Sequence, residues 1–424
     1  MSDAFRRRAA AVPVLVVLAG CGPSEDPGPT PEAVVRDSAG VRIVENGAPD
    51  ARARLGWHVS VDPVLSIGET GRGAAYELFR VEDALRLEDG RILIANGGTS
   101  EVRVFDADGV HRATWGREGE GPGEFTGLSG LADWPGDSVM AWDFALNRMT
   151  IFDLEGGVAR TRALAQGDGL GAGRFEGALA DGSILAASLV SFRPGEQTSG
   201  LVRRSRAFAR VGPDGAVLTS FGRHPDEEYF VRADVGAVVR HPFRRSVHSV
   251  VWNERIVISP SDQYEIRAYD PGGALAMIVR GAHRPEPVTQ ADVDAYVALR
   301  LAEADPEAGA TITRVFDGMP PVERFPAFAA LVVDQTGDLW VREYERPGSG
   351  SAGEERLAEA GPIWTVFGPD GRMRGRVEMP PGSTVYRIGA DYVLGSSADA
   401  LGVEQVRLWP LARTPVPDQP DTGQ

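Results

Sequence analysis

The sequence contains one cysteine and no lysine, and each shortage excludes a class of chemistry. The single cysteine, Cys21, has no partner within the chain, so the fold cannot depend on intrachain disulfides. Without lysine, the chain can form neither a lysine Schiff base nor the lysine-containing phosphate loop of P-loop proteins. Any function must therefore use other side chains.

Basic residues are also outnumbered by acidic ones. The chain has 44 basic residues, all of them Arg, against 60 Asp and Glu, and its formal net charge is −16. Such an acidic body disfavours nucleic acid and anionic lipid head groups as partners. An unidentified protein or small-molecule ligand is expected instead.

The N-terminus has the layout of a bacterial export signal. The basic stretch Arg6–Arg8 precedes an apolar run over residues 9–18, which is far shorter than the ~20 residues that span a bilayer. The following Leu18-Ala-Gly-Cys21 resembles the lipobox of bacterial lipoproteins. The resemblance implies removal of residues 1–20 and lipidation of Cys21, which would anchor the protein stably in a membrane. The alternative is an ordinary secretory signal with a chance cysteine.

The composition divides the remaining chain into three parts. Residues 21–36 are rich in Pro and Gly and predict a flexible tether. Residues 37–412 predict the folded domain, and the Pro-containing polar residues 413–424 predict a disordered tail. Gly22 stands where inner-membrane retention in enteric bacteria typically uses Asp, which favours an anchor in the outer membrane and export to the outer membrane or periplasm. The sequence leaves open which face of the membrane the folded domain occupies.

A repeated turn dominates the folded part. An aromatic residue is followed four positions later by glycine in four places, Phe105–Gly109, Phe152–Gly156, Tyr269–Gly273 and Phe367–Gly371, and a weaker copy with valine is Val211–Gly215. Strand-like segments flank these turns, and the Asp108-Gly109 ending of the first copy is a strong hairpin signal. The copies are 47, 59, 58 and 98 residues apart, where four-stranded propeller blades repeat every ~40–50 residues. We therefore predict an all-β fold, a six-bladed β-propeller of four-stranded antiparallel blades.

Two further segments complete this prediction. Residues 285–324 are predicted to be an insertion with a short amphipathic helix near 288–304, because Thr289-x-x-Asp292 resembles a capping box and the apolar periodicity stops at Asp305-Pro306. A seventh, degenerate blade is the alternative. The last unit offers only three strands, so Pro63–Gly68 is predicted to supply the missing outer strand and close the ring.

The pattern resembles the six-bladed propellers of the NHL and TolB-like type found in bacterial lipoproteins, over about residues 60–412. Its most specific pieces are Gly116–Phe125 and Gly395–Val406. Many exported bacterial proteins that look similar at these places have no assigned function. The resemblance therefore implies a fold rather than an activity.

Several patterns that suggest chemistry have a simpler interpretation. The Gly-rich segment 116–125 lacks Gly-Lys-Ser/Thr and is predicted to join two blades, with Phe125 in the core of the next. Asp106-Ala-Asp108-Gly109 lacks the spacing of an EF-hand and is predicted to be a hairpin turn. The six histidines contain no i, i+4 pair, and Gly-x-Ser-x-Gly is absent. The tryptophans predicted to lie between blades are Trp115, Trp134, Trp142, Trp340 and Trp364.

Polar residues that end the second strand of each unit are the candidate ligand or metal residues at the channel mouth. They are Asn96, Asp143, Ser188, Ser259, Glu343 and Ser396. The carboxylates and amide among them resemble the oxygen ligands with which lactonase-type propellers hold calcium, and a calcium ion with an open position can polarise a carbonyl. The alternative is that these residues cap strand ends.

No catalytic set is assembled by these residues. The leading hypothesis is therefore a non-catalytic, lipid-anchored binding or scaffold protein that needs no cofactor. The alternative is a calcium-dependent, lactonase-like hydrolase or lyase that works in the propeller channel.

Overall fold

The computed structural model describes residues 33–48, 55–69, 71–164, 170, 173–190, 192, 198–346, 362–399 and 402–413. Cys21, the predicted signal peptide 1–20, most of the predicted tether and all of the predicted tail except Arg413 lie outside these residues. Within the described ranges, no helix is long and apolar enough to cross a membrane.

Four short strands precede the blades, and the first three blades follow in chain order. The N-terminal strands are β1 (Val34–Ser38), β2 (Val41–Glu45), β3 (His58–Val59) and β4 (Leu65–Ile67). Blade 1 contains β5 (Val81–Arg86), β6 (Ile92–Asn96), β7 (Glu101–Phe105) and β8 (His111–Trp115). Blade 2 contains β9 (Leu128–Trp134), β10 (Ser138–Asp143), β11 (Arg148–Asp153) and β12 (Val158–Ala163). Blade 3 contains β13 (Gly173–Ala178), β14 (Ile184–Ser188), β15 (Gly200–Val211), β16 (Val217–Arg232) and β17 (Ala237–Arg240).

The last three blades include the N-terminal strands. Blade 4 contains β18 (Val247–Trp252), β19 (Arg255–Pro260), β20 (Glu265–Tyr269) and β21 (Leu275–Arg280), extended outward by β2 and β1. Blade 5 contains β22 (Phe328–Val333), β23 (Leu339–Glu343), β24 (Ile363–Phe367) and β25 (Met373–Glu378). Blade 6 contains β26 (Thr384–Ile388), β27 (Tyr392–Ala398) and β28 (Glu404–Ala412), with β3 and β4 on its outer edge.

The first strands of the blades form a closed ring. β5, β9, β13, β18, β22 and β26 each contact the first strand of the next blade, and β26 returns to β5. They surround a channel of about 510 Å³, whose wall is largely apolar but includes Asp133, Glu176 and Arg387. The predicted all-β fold with six blades is confirmed.

Apolar residues fill each interface between neighbouring blades. Six buried clusters lie between blades 1 and 2, 2 and 3, 3 and 4, 4 and 5, 5 and 6, and 6 and 1. All five tryptophans predicted at these interfaces are buried, and Phe125 is 0% exposed. Because a strand alternates its side chains between two faces, each blade contributes to two interfaces.

The repeated turn is closed by its aspartate. Asp106 Oδ1 accepts hydrogen bonds from the backbone N–H groups of Asp108 and Val110, and Gly109 takes φ +76°. The copies at Asp153 and Asp270 make the same pair of bonds. The positive φ explains the glycine and the carboxylate explains the aspartate, so the hairpin predicted at 106–109 is confirmed.

Strand β4 closes the ring as predicted. Leu65, Ser66 and Ile67 pair antiparallel with residues 406–408 of β28, and β3 pairs with the end of the same strand. The last blade therefore receives its outer strand from the N-terminal side of the chain.

The insertion between β21 and β22 contains two helices rather than one, and no seventh blade. α1 spans Gln290–Glu303 and starts with the predicted capping box of Thr289 and Asp292. α2 spans Pro306–Phe316, with Asp305 as its N-cap. The Asp305-Pro306 pair follows the end of the first helix and also supplies the N-cap and first-turn proline of the second. The sequence-based prediction interpreted this pair only as the end of a helix, so it missed α2.

Two other features differ from the sequence-based expectation. β1 begins at Val34, inside the segment predicted as tether, and the hairpin of β1 and β2 adds to blade 4 with β2 parallel to β21. Blade 3 carries a fifth strand, β17, beyond the predicted four, and the long hairpin of β15 and β16 adds to its length. The helical insertion packs on this extension through a cluster that includes Phe243, Val293 and Phe325.

Candidate functional site

The six candidate residues lie at one face of the propeller. In each blade, the last residues of the second strand pair with the first residues of the first strand, for example Asn96 with Val81 and Glu343 with Phe328. The ends therefore occur at equivalent heights around the ring, but most of the side chains bond to their own blade or to its entry loop.

In blades 1 and 2 the candidates fix the loop that enters the blade. Asn96 Oδ1 accepts a hydrogen bond from the Phe79 N–H, and Asp143 Oδ2 accepts from the N–H groups of Thr126 and Gly127. Asp143 Oδ1 accepts from the Leu146 N–H. These oxygens, which the calcium hypothesis requires, are thus occupied by backbone donors.

The three serines also bond to protein groups. Ser188 and Ser259 accept from the N–H groups of Ala207 and Arg267 on the third strands of their blades. Ser396 shares a hydrogen bond with the Tyr386 hydroxyl, which itself donates to the Val81 carbonyl of blade 1. Among the residues that the structure describes, no group of three or more His, Cys, Asp or Glu side chains could hold a metal ion.

Glu343 differs because it lines a cavity between blades 4 and 5. The cavity has a volume of about 400 Å³, within the range typical of small-molecule sites. Blade 4 and its exit loop contribute Tyr264, residues 281–284 and Glu286, whereas blade 5 contributes residues 343–346, Thr365, Phe367 and Arg376. Phe325, at the end of the helical insertion, completes the wall.

Tyr264 can reach the cavity because the residue next to its ring, Gly281, has no side chain. It lies in the turn between β19 and β20, and a Cβ atom on Gly281 would approach its ring to 2.5 Å. Gly281 also donates its N–H to the Tyr264 carbonyl. The tyrosine hydroxyl is thereby placed to donate to Glu343 Oε1 across the interface of the two blades, at 2.9 Å.

The Glu343 carboxyl is bonded on one side only. Oε1 accepts from Tyr264 and also from Thr365 Oγ1 at 2.5 Å, whereas Oε2 accepts no hydrogen bond from any described residue. Burial raises the pKa of Glu343; the hydrogen bonds from Thr365 and Tyr264 and the charge of Arg376 act in the opposite direction without cancelling that effect. A buried carboxyl with an unused oxygen is a candidate ligand-binding group.

Two other polar groups at the cavity also lack protein partners. The Tyr344 hydroxyl and Arg376 Nε are buried, and neither makes a hydrogen bond within the described part of the chain. Buried polar atoms are bonded in the large majority of cases, so an unbonded pair beside a cavity indicates that a ligand or water completes them. His283 lines the same cavity, and burial lowers the pKa of its ring.

The sequence identified only Glu343 of this set. Tyr264, Thr365 and Arg376 come from a turn and two further strands, and their approach depends on how two blades pack. The alternation in β23 predicts that Arg342 and Tyr344 point away from Glu343, and Arg342 does lie over the Trp364 ring, but Tyr344 lines the same cavity.

The parent protein is expected to lose folding stability as pH rises, because Glu343 ionises in its buried position. Replacing Glu343 with glutamine should remove this loss. Unfolded Glu343 ionises near its ordinary pKa of 4.5, whereas the folded carboxyl keeps its proton to higher pH. Its contribution to stability is therefore full below the unfolded pKa and is lost as pH rises through the folded pKa. Relative to the parent, the variant should gain stability between pH 4 and 8, by about 1.4 kcal/mol for each unit of pKa elevation. Thermal unfolding at several pH values measures this difference.

Glu227→Gln is the matched control, because its pKa is shifted in the opposite direction. Burial raises the pKa of Glu227, but the Tyr229 hydrogen bond and the charges of Arg244 and Arg240 outweigh burial and leave the pKa lowered. Its contribution is present above the ordinary pKa and is lost as pH falls through the folded one. This variant should lose stability relative to the parent as pH rises, and the same trend in both variants would contradict the assignment.

Comparisons with known proteins support the fold. Residues 78–166, which span blades 1 and 2, match the DUF5128 family, described as a 6-bladed beta-propeller. No curated protein gives a significant sequence match. The sequence-based resemblance is thus supported for a six-bladed propeller, while NHL or TolB-like kinship stays a prediction.

Solved structures are similar over most of the chain at low identity. An exported protein from Bacteroides fragilis is 12% identical, with 87% of this chain and 99% of that chain covered and a TM-score of 0.47. A DUF4221 family member from Bacteroides vulgatus is 9% identical, with 85% and 100% covered and a TM-score of 0.49. A gluconolactonase from Xanthomonas campestris is 13% identical, with 91% and 99% covered and a TM-score of 0.40. Similarities of this size carry no information on the ligand or reaction of this chain.

Proposed function

We propose that this chain is an exported lipoprotein that holds a non-catalytic, ligand-binding propeller at the surface of an envelope membrane. The cavity between blades 4 and 5 is its ligand site. The observation that carries this proposal is a pair of buried polar atoms at the cavity, Tyr344 Oη and Arg376 Nε, that have no partner among the described residues. They lie beside Glu343, whose hydrogen bonds all go to Oε1.

Binding fits this cavity better than catalysis. Glu343 Oε1 is fixed by two donors, and the Arg346 guanidinium is fixed over the Phe325 ring and by bonds to Glu286 and Asp292. Such side chains are held in one geometry by their neighbours, which favours recognition of one ligand shape.

A small-fragment screen by ligand-detected NMR tests the site. Ala282 is exposed and lines the cavity, so tryptophan at this position would fill it from the rim without disturbing the core. Ala180 is an exposed hairpin residue and provides the matched control, Ala180→Trp. Fragments should bind the parent and Ala180→Trp but not Ala282→Trp. Equal binding to all three proteins, or no binding to the parent, would contradict the proposed site.

Lipidation of Cys21 is tested by the substitution Cys21→Ala in a bacterial host. The parent should incorporate labelled palmitate and remain with the membrane fraction after a salt wash, because two or more acyl chains anchor a protein stably. Cys21→Ala should incorporate no label and leave the membrane fraction. Retention of the variant would show that something other than the lipid holds the protein there.

A further inference from the structure

The cavity between blades 4 and 5 holds a carboxyl and a guanidinium that face one ligand space without bonding to each other. Glu343 and Arg376 both line the cavity, and the charge of Arg376 opposes the rise that burial causes in the pKa of Glu343. No ion pair or hydrogen bond joins the two side chains in the part of the chain that the structure describes. Arg376 Nε is buried without a partner, and an unpaired buried donor is costly, so the arrangement calls for a third component between the two side chains.

The charges around the cavity are balanced. Three acidic and three basic side chains line it, Glu286, Glu343, Glu345, Arg284, Arg346 and Arg376. One basic member is already used, because Arg346 bonds to Glu286 and Asp292. A ligand with charge of only one sign would pair with either the acidic or the basic side chains and leave the others without a partner of opposite charge. A ligand that carries both signs would match it.

The rest of the wall is apolar and rigid. Phe325 and Phe367 are 4% and 1% exposed, and they line the cavity together with Pro326 and Met373. Phe325 packs edge-on against Phe243, and Phe367 packs near Tyr264. Such a wall offers contact area for an apolar or aromatic group of a ligand.

We propose that the cavity binds a small zwitterionic amino-carboxylate with an apolar side chain. The ligand's ammonium group donates to Glu343 Oε2, its carboxylate accepts from Arg376, and its side chain lies against Phe325 and Phe367. This inference rests on the cavity being the ligand site and adds the chemical class of the ligand. Tyr344, whose hydroxyl has no described partner, is placed to bond to the same polar end.

Both ends of the ligand are needed for this pairing. An amine alone would pair with Glu343 but leave the buried Arg376 Nε without a partner. A carboxylate alone would satisfy Arg376 but bring a negative charge toward Glu343. Hydrogen bonds to charged groups are the stronger kind, so each missing end should reduce affinity by about tenfold to a hundredfold.

Calorimetric titration with three related probes tests the proposal. L-Phenylalanine carries both charged groups, phenethylamine carries only the amine, and 3-phenylpropionate carries only the carboxylate. The full protein should bind phenylalanine at least tenfold more tightly than either other probe. Glu343→Gln should lower the affinity for phenylalanine and phenethylamine but not for 3-phenylpropionate, and Arg376→Gln should do the reverse.

Control variants keep the result interpretable. Arg372→Gln removes an exposed arginine just before β25 that does not line the cavity, and it should bind all probes as the parent does. Each variant is first checked for an unchanged far-ultraviolet circular dichroism spectrum. Equal affinity for the three probes, or phenylalanine binding unaffected by both cavity variants, would overturn the ligand class. If no probe binds while fragments bind as proposed above, the class is wrong and the site stands; if neither binds, both fail.

Discussion

Replacing Ile67 with alanine is expected to lower the free energy of unfolding by about 2–5 kcal/mol, although Ile67 belongs to a strand of three residues. Its side chain is 0% exposed and packs with Leu78, Phe105 and Val406, at the interface where blade 6 meets blade 1. The loss combines the transfer of apolar atoms with the cavity that the smaller residue leaves. Denaturant unfolding of parent and variant measures it.

Val64→Ala is the matched control on the same strand edge. Val64 donates its N–H to the Leu408 carbonyl, but its side chain is 68% exposed. Its loss should therefore change stability by no more than about 0.5 kcal/mol. If both variants lose the same small amount, the closing strand does not hold the ring together.

A disulfide across the same seam should act in the opposite direction. Ser66 lies opposite Arg407 in the antiparallel pair of β4 and β28. Paired residues of this kind have Cα atoms about 4.5–5.5 Å apart, which suits a disulfide. With Cys21 replaced by alanine, the double substitution Ser66→Cys and Arg407→Cys should raise stability by about 2–4 kcal/mol when oxidised. Reduction should remove the gain.

The closing strand shows why much of this fold could be predicted from the sequence. In three of the five copies an aspartate three residues before the glycine closes the hairpin turn, as at Asp106 and Gly109, so the repeat is visible locally. The blade that lacks a fourth strand then demands a partner, and the apolar segment near Ile67 was available. The position of the β1 and β2 hairpin could not be predicted in this way, because blade 4 already has four strands of its own and needs no further partner.

The candidate site could be predicted only in part, for a related reason. Topology places the end of every second strand at one face, which identified Glu343 together with five residues that serve their own blades. Whether an oxygen at such a position is used by the backbone or left for a ligand depends on neighbouring loops. Asp143 accepts a hydrogen bond from the Thr126 N–H in its own entry loop, whereas Glu343 accepts one from Tyr264 of the adjacent blade. That contact depends on inter-blade packing, which no local pattern in the sequence reports.

The second large effect is expected at an ion pair inside the ring. Arg387 of blade 6 donates two hydrogen bonds to the Asp83 carboxylate of blade 1, at 3.1 and 3.0 Å, and one to the Leu131 carbonyl of blade 2 at 2.7 Å. Asp83 Oδ2 also accepts from the Leu131 N–H. One pair of side chains thus connects three blades at the position where the chain closes the ring.

Removing either partner should cost about 2–4 kcal/mol. The Asp83 side chain is 12% exposed and that of Arg387 is 32% exposed, so the remaining charge would be largely desolvated and unpaired. The cost should fall below that of a fully buried pair because water reaches part of Arg387. Asp83→Asn and Arg387→Gln preserve shape while removing one charge each, and denaturant unfolding gives the loss for each.

The double variant separates the pair from its surroundings. If the two groups act as a unit, Asp83→Asn with Arg387→Gln should be no less stable than the worse single variant, which gives a coupling energy of about 1–3 kcal/mol. The more exposed pair of Arg80 and Glu82, close by in the sequence, has an N–O contact at 3.1 Å and should give a coupling below about 1 kcal/mol. Equal coupling in the two pairs would mean that Arg387 holds the ring through the Leu131 carbonyl rather than through its charge. A larger coupling at Asp83 would show that the ring is closed from inside by one ion pair, as well as from outside by β4.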